Sequence, residues 1–265
     1  MDLFNRRYIM RWSDNELTIL KDNYGKVKIE TLEELLSNRT RQAIQKIAQK
    51  HKLKGDFRLA QRKYTYDTQF FITPNIQNSY WAGYIAADGC VDDEHNLSFG
   101  IAYKDIELLQ NFQQQTKHTS PIRLFKLQEY NYARFNAYGV IEWCSDLQKH
   151  WNITPRKSNT LQPPNLVTNE CIYAYIIGYF DGDGSIFTSN KRLWVAFCGT
   201  EQLMIWIREH ICRLCDVRYA KISQNGISVT NKQMKWSGKD AIRIYDNLQQ
   251  IVNISWRLKR KWQQK

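Results

Sequence analysis

The stretch "WAGYIAADG", Trp81–Gly89, reads as a short apolar helix that stops on an acid and a glycine. A second stretch, "IIGYFDGDG", Ile176–Gly184, is built to the same plan. Asp88 and Asp183 stand 95 residues apart, and so do Gly83 and Gly178. Within each copy the small residues fall four apart, Gly83 with Ala87 and Gly178 with Gly182, so they share one helix face. Two such faces let two backbones approach closely. Tyr84, Ile85, Tyr179 and Phe180 are left to pack outward, each pair into its own half.

The segments downstream of each copy are repeated as well. After the first, "NLSFGIAY" is strand-like, "DIELLQNFQQQ" helical, "PIRLF" and "YARFNAYGV" strand-like, and "IEWCSDLQKHW" helical. After the second come "LWVAFCG", "EQLMIWIREHICRLC", "YAKISQ", "GISVTN" and "GKDAIRIYDNLQQI" in the same order. The pattern predicts an α+β fold of two pseudo-twofold αββαββα halves, 74–168 and 169–265, with antiparallel saddle-shaped sheets. One face of each sheet should lie under helices and the other in solvent. Arg134, Asn136 and Tyr138 alternate with Ala133, Phe135 and Ala137. Ser228, Thr230 and Lys232 alternate with Ile227, Val229 and Asn231. Together with Arg123, Arg192 and Lys221, the polar sets are the side-chain types that line a duplex groove.

The ends of the two helices carry the chemistry. A carboxylate at a helix C-terminus is on the unfavourable end of the dipole, at roughly 0.3–1 kcal/mol each. Parallel pairing of the helices would bring Asp88 and Asp183 together, and like charges this close resist joint ionisation. A hard divalent cation relieves both problems, and carboxylate plus carbonyl oxygen is a donor set suited to Mg²⁺. The formal charge of the 265-residue chain is +12, which points to a polyanionic partner. Metal-assisted hydrolysis of a nucleic-acid phosphodiester is the reaction these readings converge on.

The two motifs resemble the signatures of the LAGLIDADG homing endonucleases of the single-chain, two-motif kind, over about residues 79–265. The resemblance implies Mg²⁺-dependent cleavage of both strands of a long asymmetric double-stranded DNA site across its minor groove, leaving 3′ overhangs. It implies two or more cations held by Asp88 and Asp183 with the carbonyls of Ala87 and Gly182. "ITPRKSNTLQPPNL" and "WSGKDAIRIYDNL…WRLKRKW" resemble the segments closing the two family repeats. They make Lys157, and Lys261 or Lys259, the active-site lysines. The sixth motif position is Ala86 in one copy and Asp181 in the other, so the halves are chemically unequal. "VDDEHN", Val91–Asn96, reads as a solvated turn. Relatives of the same fold include non-cleaving DNA-binding regulators, which tend to lose the acids, and RNA maturases, which would add intron RNA as a partner.

Upstream, residues 1–55 form a small helical unit. "SDNE", Ser13–Glu16, is a capping box before Leu17, Leu20 and Tyr24, and Gly25 ends that helix. "IETLEELL" gives a second helix and "NRTRQAIQKIAQKHKLKG" a third. On the third, Ala43, Ile44, Ile47 and Ala48 share a face. Arg39, Arg41, Gln42, Gln45 and Lys46 lie elsewhere around it, and such side chains reach phosphates and base edges. Residues 1–66 carry 15 Lys and Arg against 8 Asp and Glu, more than half of the chain's excess charge. The segment resembles a Myb/SANT-type helix-turn-helix module, which implies that its third helix enters a major groove. A connector over 56–73 joins it to the first half.

The rest of the chain narrows the setting. Its longest apolar run, Cys171–Phe180, is shorter than the about 20 residues a bilayer crossing needs. "MDLFNRRYIMRW" has no apolar core of a secretory signal. Six Cys without framework or zinc spacing suggest a reducing, intracellular compartment. The internal repeat suggests a monomer.

Overall fold

The computed structural model describes residues 11–55, 62–126, 131–226, 228–251 and 253–263, less the side chains of Ser228 and Val229. The chain divides into two units, one ending at Tyr64 and one beginning at Thr65.

The first unit holds α1 (Asp14–Asn23), α2 (Ile29–Leu35) and α3 (Arg41–Lys50). The Ser13 hydroxyl accepts from the Glu16 amide, and the Glu16 carboxylate accepts from the Ser13 amide at 2.7 Å. Two N–H groups that the helix start would leave unpaired are thereby satisfied. Thr40 caps α3 in the same way through the Ala43 amide. Leu20, Leu32, Leu36, Ile44 and Ala48 form a small core of their own.

The second unit contains α4 (Ile76–Asp88), β1 (Cys90–Val91), β2 (Leu97–Ala102), α5 (Glu107–Gln115), β3 (Arg123–Lys126), β4 (Asn131–Ala137) and α6 (Ile141–Trp151). The second half repeats this with α7 (Asn169–Asp183), β5 (Ser185–Ser189), β6 (Arg192–Gly199), α8 (Glu201–Cys215), β7 (Ser223–Asn225), β8 (Ser228–Ser237) and α9 (Lys239–Gln250). Each half has one four-stranded antiparallel sheet, ordered β1-β2-β4-β3 and β5-β6-β8-β7. The strands β1 and β5 begin directly after Gly89 and Gly184, so each motif helix runs straight into its own sheet. The fold is α+β, with α4 and α7 making the most extensive contact between any two elements.

One boundary differs from the sequence-based expectation. The expected connector over 56–73 ends at Tyr64, because residues beyond it are part of the core. Phe70 and Phe71 are buried, Trp143 donates to the Asp67 carbonyl, and Trp151 donates to the Phe71 carbonyl. The Asn78 side chain ties the Phe70 and Thr73 carbonyls to the start of α4. Aromatic residues in a stretch otherwise rich in polar side chains are what the composition concealed.

Candidate active site

The helices α4 and α7 pack in parallel through their small residues. A Cβ on Gly83 would lie 2.0 Å from the Tyr175 carbonyl oxygen, and one on Gly178 would lie 1.9 Å from that of Tyr80. Tyr80 and Tyr175 are themselves 95 residues apart, so the two contacts are pseudo-twofold mates. One turn on, a Cβ at Gly182 would meet the Ala87 methyl at 2.4 Å and the Asp88 carboxyl carbon at 3.4 Å. Asp88 and Asp183 therefore end the two helices side by side.

Gly89 and Gly184 are required by close approach and not by a left-handed backbone. Both are extended, with φ −75°. A Cβ at Gly89 would strike the Ile85 carbonyl at 2.6 Å, and one at Gly184 the Phe180 ring at 2.1 Å. Each chain turns so sharply into its first strand that no side chain fits.

Asp88 is exposed and Asp183 half-buried. The protein packed around the two carboxyls partly desolvates them and raises both pKa values, although Asp88 keeps an exposed edge. The charge of Asp88 raises Asp183 further, while Lys157 and Lys261 pull both back down.

Two lysines reach the same helix ends. Lys157 donates to the Ala87 carbonyl at 3.3 Å. The Lys261 ammonium lies 2.7 Å from the Phe180, Asp181 and Gly184 carbonyls and 3.1 Å from that of Gly182. It neutralises the C-terminal end of α7. Burial pushes the Lys261 pKa down to about 8, with Asp181 opposing the shift. Lys259 instead pairs with Glu107 at 2.7 Å, so of the two candidate lysines only Lys261 stands at the helix end. The two carbonyls expected to assist a cation thus already accept from lysines, and each retains a second lone pair.

Among the described residues no group of three or more His, Cys, Asp or Glu side chains converges as a metal site. The donor set at the helix ends is two carboxylates and two carbonyl oxygens. Such a set leaves most of a cation's coordination to water or phosphate, which fits Mg²⁺ and not a structural zinc.

Asp181, the unequal sixth position, is not directed at this site. It is buried, and its carboxylate accepts from the Tyr80 hydroxyl, the Leu258 amide and the Trp262 indole, each at 2.7 Å. It clasps the C-terminal segment onto α7 on both sides of Lys261. In the other half the mate of Tyr80 is Tyr175, whose buried hydroxyl has no hydrogen-bond partner among the described residues, and the mate of Asp181 is Ala86. The sequence pattern gives no sign of this hub, because two of the donors come from a segment 77 to 81 residues further on.

Burial raises the Asp181 pKa from 3.8 to about 6, against the pull of its three donors. The native state therefore keeps a proton that the unfolded chain has lost, and stability falls as pH rises from about 4 to 6. The shift corresponds to about 3 kcal/mol. Asp181→Asn lacks this titration. Unfolding free energies of wild type minus Asp181→Asn should thus drop by that amount between pH 4 and 7, and a pH-independent difference would refute the assignment.

The open faces of the sheets agree with expectation in the first half and depart from it in the second. Ala133, Phe135 and Ala137 are buried under the helices, leaving Arg134 and Asn136 on the open side, with Arg123 across from Arg134. Tyr138 lies just past β4 and is exposed. In β8 the buried residues are Met234 and Trp236, paired with Phe197 and Val195. Lys232 shares their parity and approaches Glu201 at 4.0 Å on the helix side. The open face presents Gln233 and Lys235 in its place. The β7–β8 pairing is irregular between Gln224 and Asn225, where the register shifts by three residues, and an odd slip exchanges the faces. The alternation of Met234 with Trp236 was the signal available in the sequence. Thr230 bonds Asn159, the Ser228 side chain lies outside the described residues, Arg192 is exposed at the start of β6, and Lys221 is exposed ahead of β7. A recess of about 180 Å³ connects Asp183 with Gln233 and Lys235 across this face.

In the first unit, Gln42, Gln45 and Lys46 lie on α3, with Gln42 and Lys46 at its outer side. Arg39 is not available as a contact residue. Its guanidinium pairs with Glu16 at 2.6 Å, donates to the Arg11 carbonyl and lies over the Trp12 ring, 4.8 Å from the centroid. It locks the start of α3 to α1. Arg41 is exposed but paired with Glu30 and Glu33. The "VDDEHN" segment is a turn in which Asp92 accepts from the Glu94 and Asn96 amides, and Asp93 pairs with Arg156. The described cysteines form no disulfide, and no helix among the described residues is long and apolar enough to cross a membrane.

No protein-family model matches the chain, and no curated protein does. Among solved structures, the fold is similar to that of mesophilic variants of the homing endonuclease I-DmoI, at 13% identity and a TM-score of 0.46 over 71% of this chain and 94% of that one. It is similar to the meganuclease I-SmaMI bound to uncleaveable DNA, at 10% identity and 0.43 over 68% and 87%. The N-terminal LAGLIDADG domain of WhiA gives 16% and 0.44 over 69% and 87%. At such identities the likeness concerns the fold alone.

Proposed function

We propose that this chain is a LAGLIDADG-type endonuclease that hydrolyses both strands of a long, asymmetric duplex DNA site with Mg²⁺. The observation that carries the reading is the pair of carboxylates brought together at the ends of two parallel helices, one of them in a recess shared with Gln233 and Lys235 of the second sheet. Asp88 and Asp183, assisted by the Ala87 and Gly182 carbonyls, would hold the cations. Bound there, divalent ions supply an activated water and stabilise charge on the leaving oxygen.

The chain's own part is to place phosphates and protons. The cationic sheet faces hold the duplex across the helix ends, so that one scissile phosphate of each strand meets each carboxylate. Lys261 fixes the α7 terminus. Lys157 shares a cavity of about 150 Å³ with Asp183, and burial lowers its pKa, which suits it to donate a proton near the phosphate or take one from water. Hydrolysis adds hydroxide to phosphorus and a proton to the departing 3′ oxygen.

A cleavage selection on a randomised duplex library with Mg²⁺ is the direct test. One recovered family of long sites, cut on both strands only when the divalent ion is present, is the expected result. A site recovered by binding but never cut would overturn it in favour of a regulator.

The first unit is assigned to added DNA affinity through Gln42, Gln45 and Lys46 of a helix-turn-helix. Deleting residues 1–64 should weaken binding and flatten its dependence on salt, because fewer counterions are then released. An unchanged slope of log affinity against log salt would show that this unit does not touch DNA.

A further inference from the structure

The open face of the first sheet ends in a stacked aromatic pair at its β3 edge, whereas the second sheet carries its stacked pair, Phe187 with Trp194, at the opposite edge, β5. Phe125 and Tyr132 are cross-strand partners on β3 and β4, and their rings stack at 4.8 Å with an interplanar angle of 11°. They face the open side, since Ala133 and Phe135 occupy the buried parity. All four residues of β3 are exposed, Leu124 by 58% and Phe125 by 37%. Across from Tyr132 stands Ala102, and across from Arg134 stands Gly100. These small neighbours leave the floor beside the stack flat. A recess of about 330 Å³ is lined by Tyr103, Leu124, Phe125, Lys126, Asn131 and Tyr132. Among the described residues its lining contains no acidic side chain. At the matching edge of the second sheet, β7 offers only Ser223, Gln224 and Asn225.

Aromatic rings left in water at the edge of a sheet lose the benefit of burial unless something covers them. Here the surroundings restrict what that is. Arg123 and Arg134 lie one row along the same face, and Lys126 lies in the recess, so the partner is anionic. Parallel rings beside small residues offer a planar apolar surface, so the partner has a flat face to stack. A polyanion with flat units is a nucleic acid. Bases in a duplex spend both faces on their neighbours, so only an unstacked base can use the surface.

We infer that the Phe125–Tyr132 edge of the first sheet is a binding site for an unpaired base of a single-stranded nucleic acid, with Lys126 and Arg123 on the flanking phosphates. This goes beyond the duplex-cutting reading and does not depend on it.

The test uses the full chain and a single strand of about ten nucleotides, containing 2-aminopurine, in DNA and RNA forms. A second set carries the same phosphates without bases. Base stacking on the rings should quench the fluorophore. Phe125→Leu with Tyr132→Leu keeps the patch apolar but removes the flat rings. It should weaken single-strand binding about 5- to 150-fold, the range for one base–aromatic stack. It should weaken binding of a duplex of equal length at least about fivefold less. Loss on both DNA and RNA assigns the site to the base alone, and loss on RNA only assigns it to RNA.

Equal affinity of the wild-type chain for the abasic strand would overturn the proposal, and that comparison does not rely on the variant folding. Equal losses on single strand and duplex would also overturn it. So would a dimer of the free protein that the double substitution dissolves, since the patch would then belong to a second copy. Failure of duplex cutting would leave these measurements untouched, so the two readings fail separately.

Discussion

Asn at position 88 or at position 183 should reduce Mg²⁺-dependent double-strand cutting by about a thousandfold or more, while duplex binding persists. Among the described residues these two carboxylates are the acidic groups that end the paired helices, and a neutral amide there is a poor partner for a hard cation. Because the ends meet so closely that a Cβ at Gly182 would lie 3.4 Å from the Asp88 carboxyl carbon, the two acids act in one shared space. Either substitution should therefore slow both strands, and nicked intermediate should accumulate to the extent that one strand survives better. Binding should hold or tighten, since a negative charge facing phosphates is removed. The raised pKa of each carboxyl in the native state means that its ionised form opposes folding at neutral pH. Each Asn variant should thus melt slightly higher than wild type while it loses activity. Quantitative cleavage, a binding titration in Ca²⁺ and a melting curve decide this. Wild-type cutting rates in either variant would remove Asp88 and Asp183 from the active site.

The parts of this site that could be read in the sequence are those with local rules. Small residues four apart specify a helix face, and two copies 95 residues apart specify a pseudo-twofold pair, so the convergence of Asp88 and Asp183 could be had from spacing alone. The β4 alternation was legible because Ala133, Phe135 and Ala137 keep one parity throughout. β8 was not, because its polar and apolar residues alternate on one parity before the irregularity and on the other after it. The clasp on Asp181 was invisible for a different reason. An acid two residues before a metal-type acid looks like part of the same chemistry, and nothing local shows that Tyr80, Leu258 and Trp262 donate to it. Arg39 misled similarly, since an arginine ahead of a basic helix reads as a phosphate contact until Glu16 and Trp12 are seen beside it.

The interface between α4 and α7 is the other place where one substitution should have a large effect. Gly178→Ala would put a methyl 1.9 Å from the Tyr80 carbonyl oxygen, and Gly83→Ala one 2.0 Å from that of Tyr175. The obstacle is backbone in both cases, so relief requires the helices to separate. Overpacking of this kind costs typically about 1–3 kcal/mol and occasionally more. It overrides the gain of about 1 kcal/mol that alanine brings to a helix interior. We expect each variant to be destabilised by about 3 kcal/mol or more in denaturant unfolding. Gly100→Ala is the control. Its added Cβ would lie 3.5 Å from the nearest atom, an ordinary contact, and should change stability little. The consequence for function comes from the same geometry. Helices forced apart at Gly178 carry Asp88 and Asp183 apart, so any Gly178→Ala protein that remains folded should cut more slowly with binding largely intact. Wild-type stability in both glycine variants would mean that the two helices do not pack backbone to backbone, and the shared site would lose its foundation.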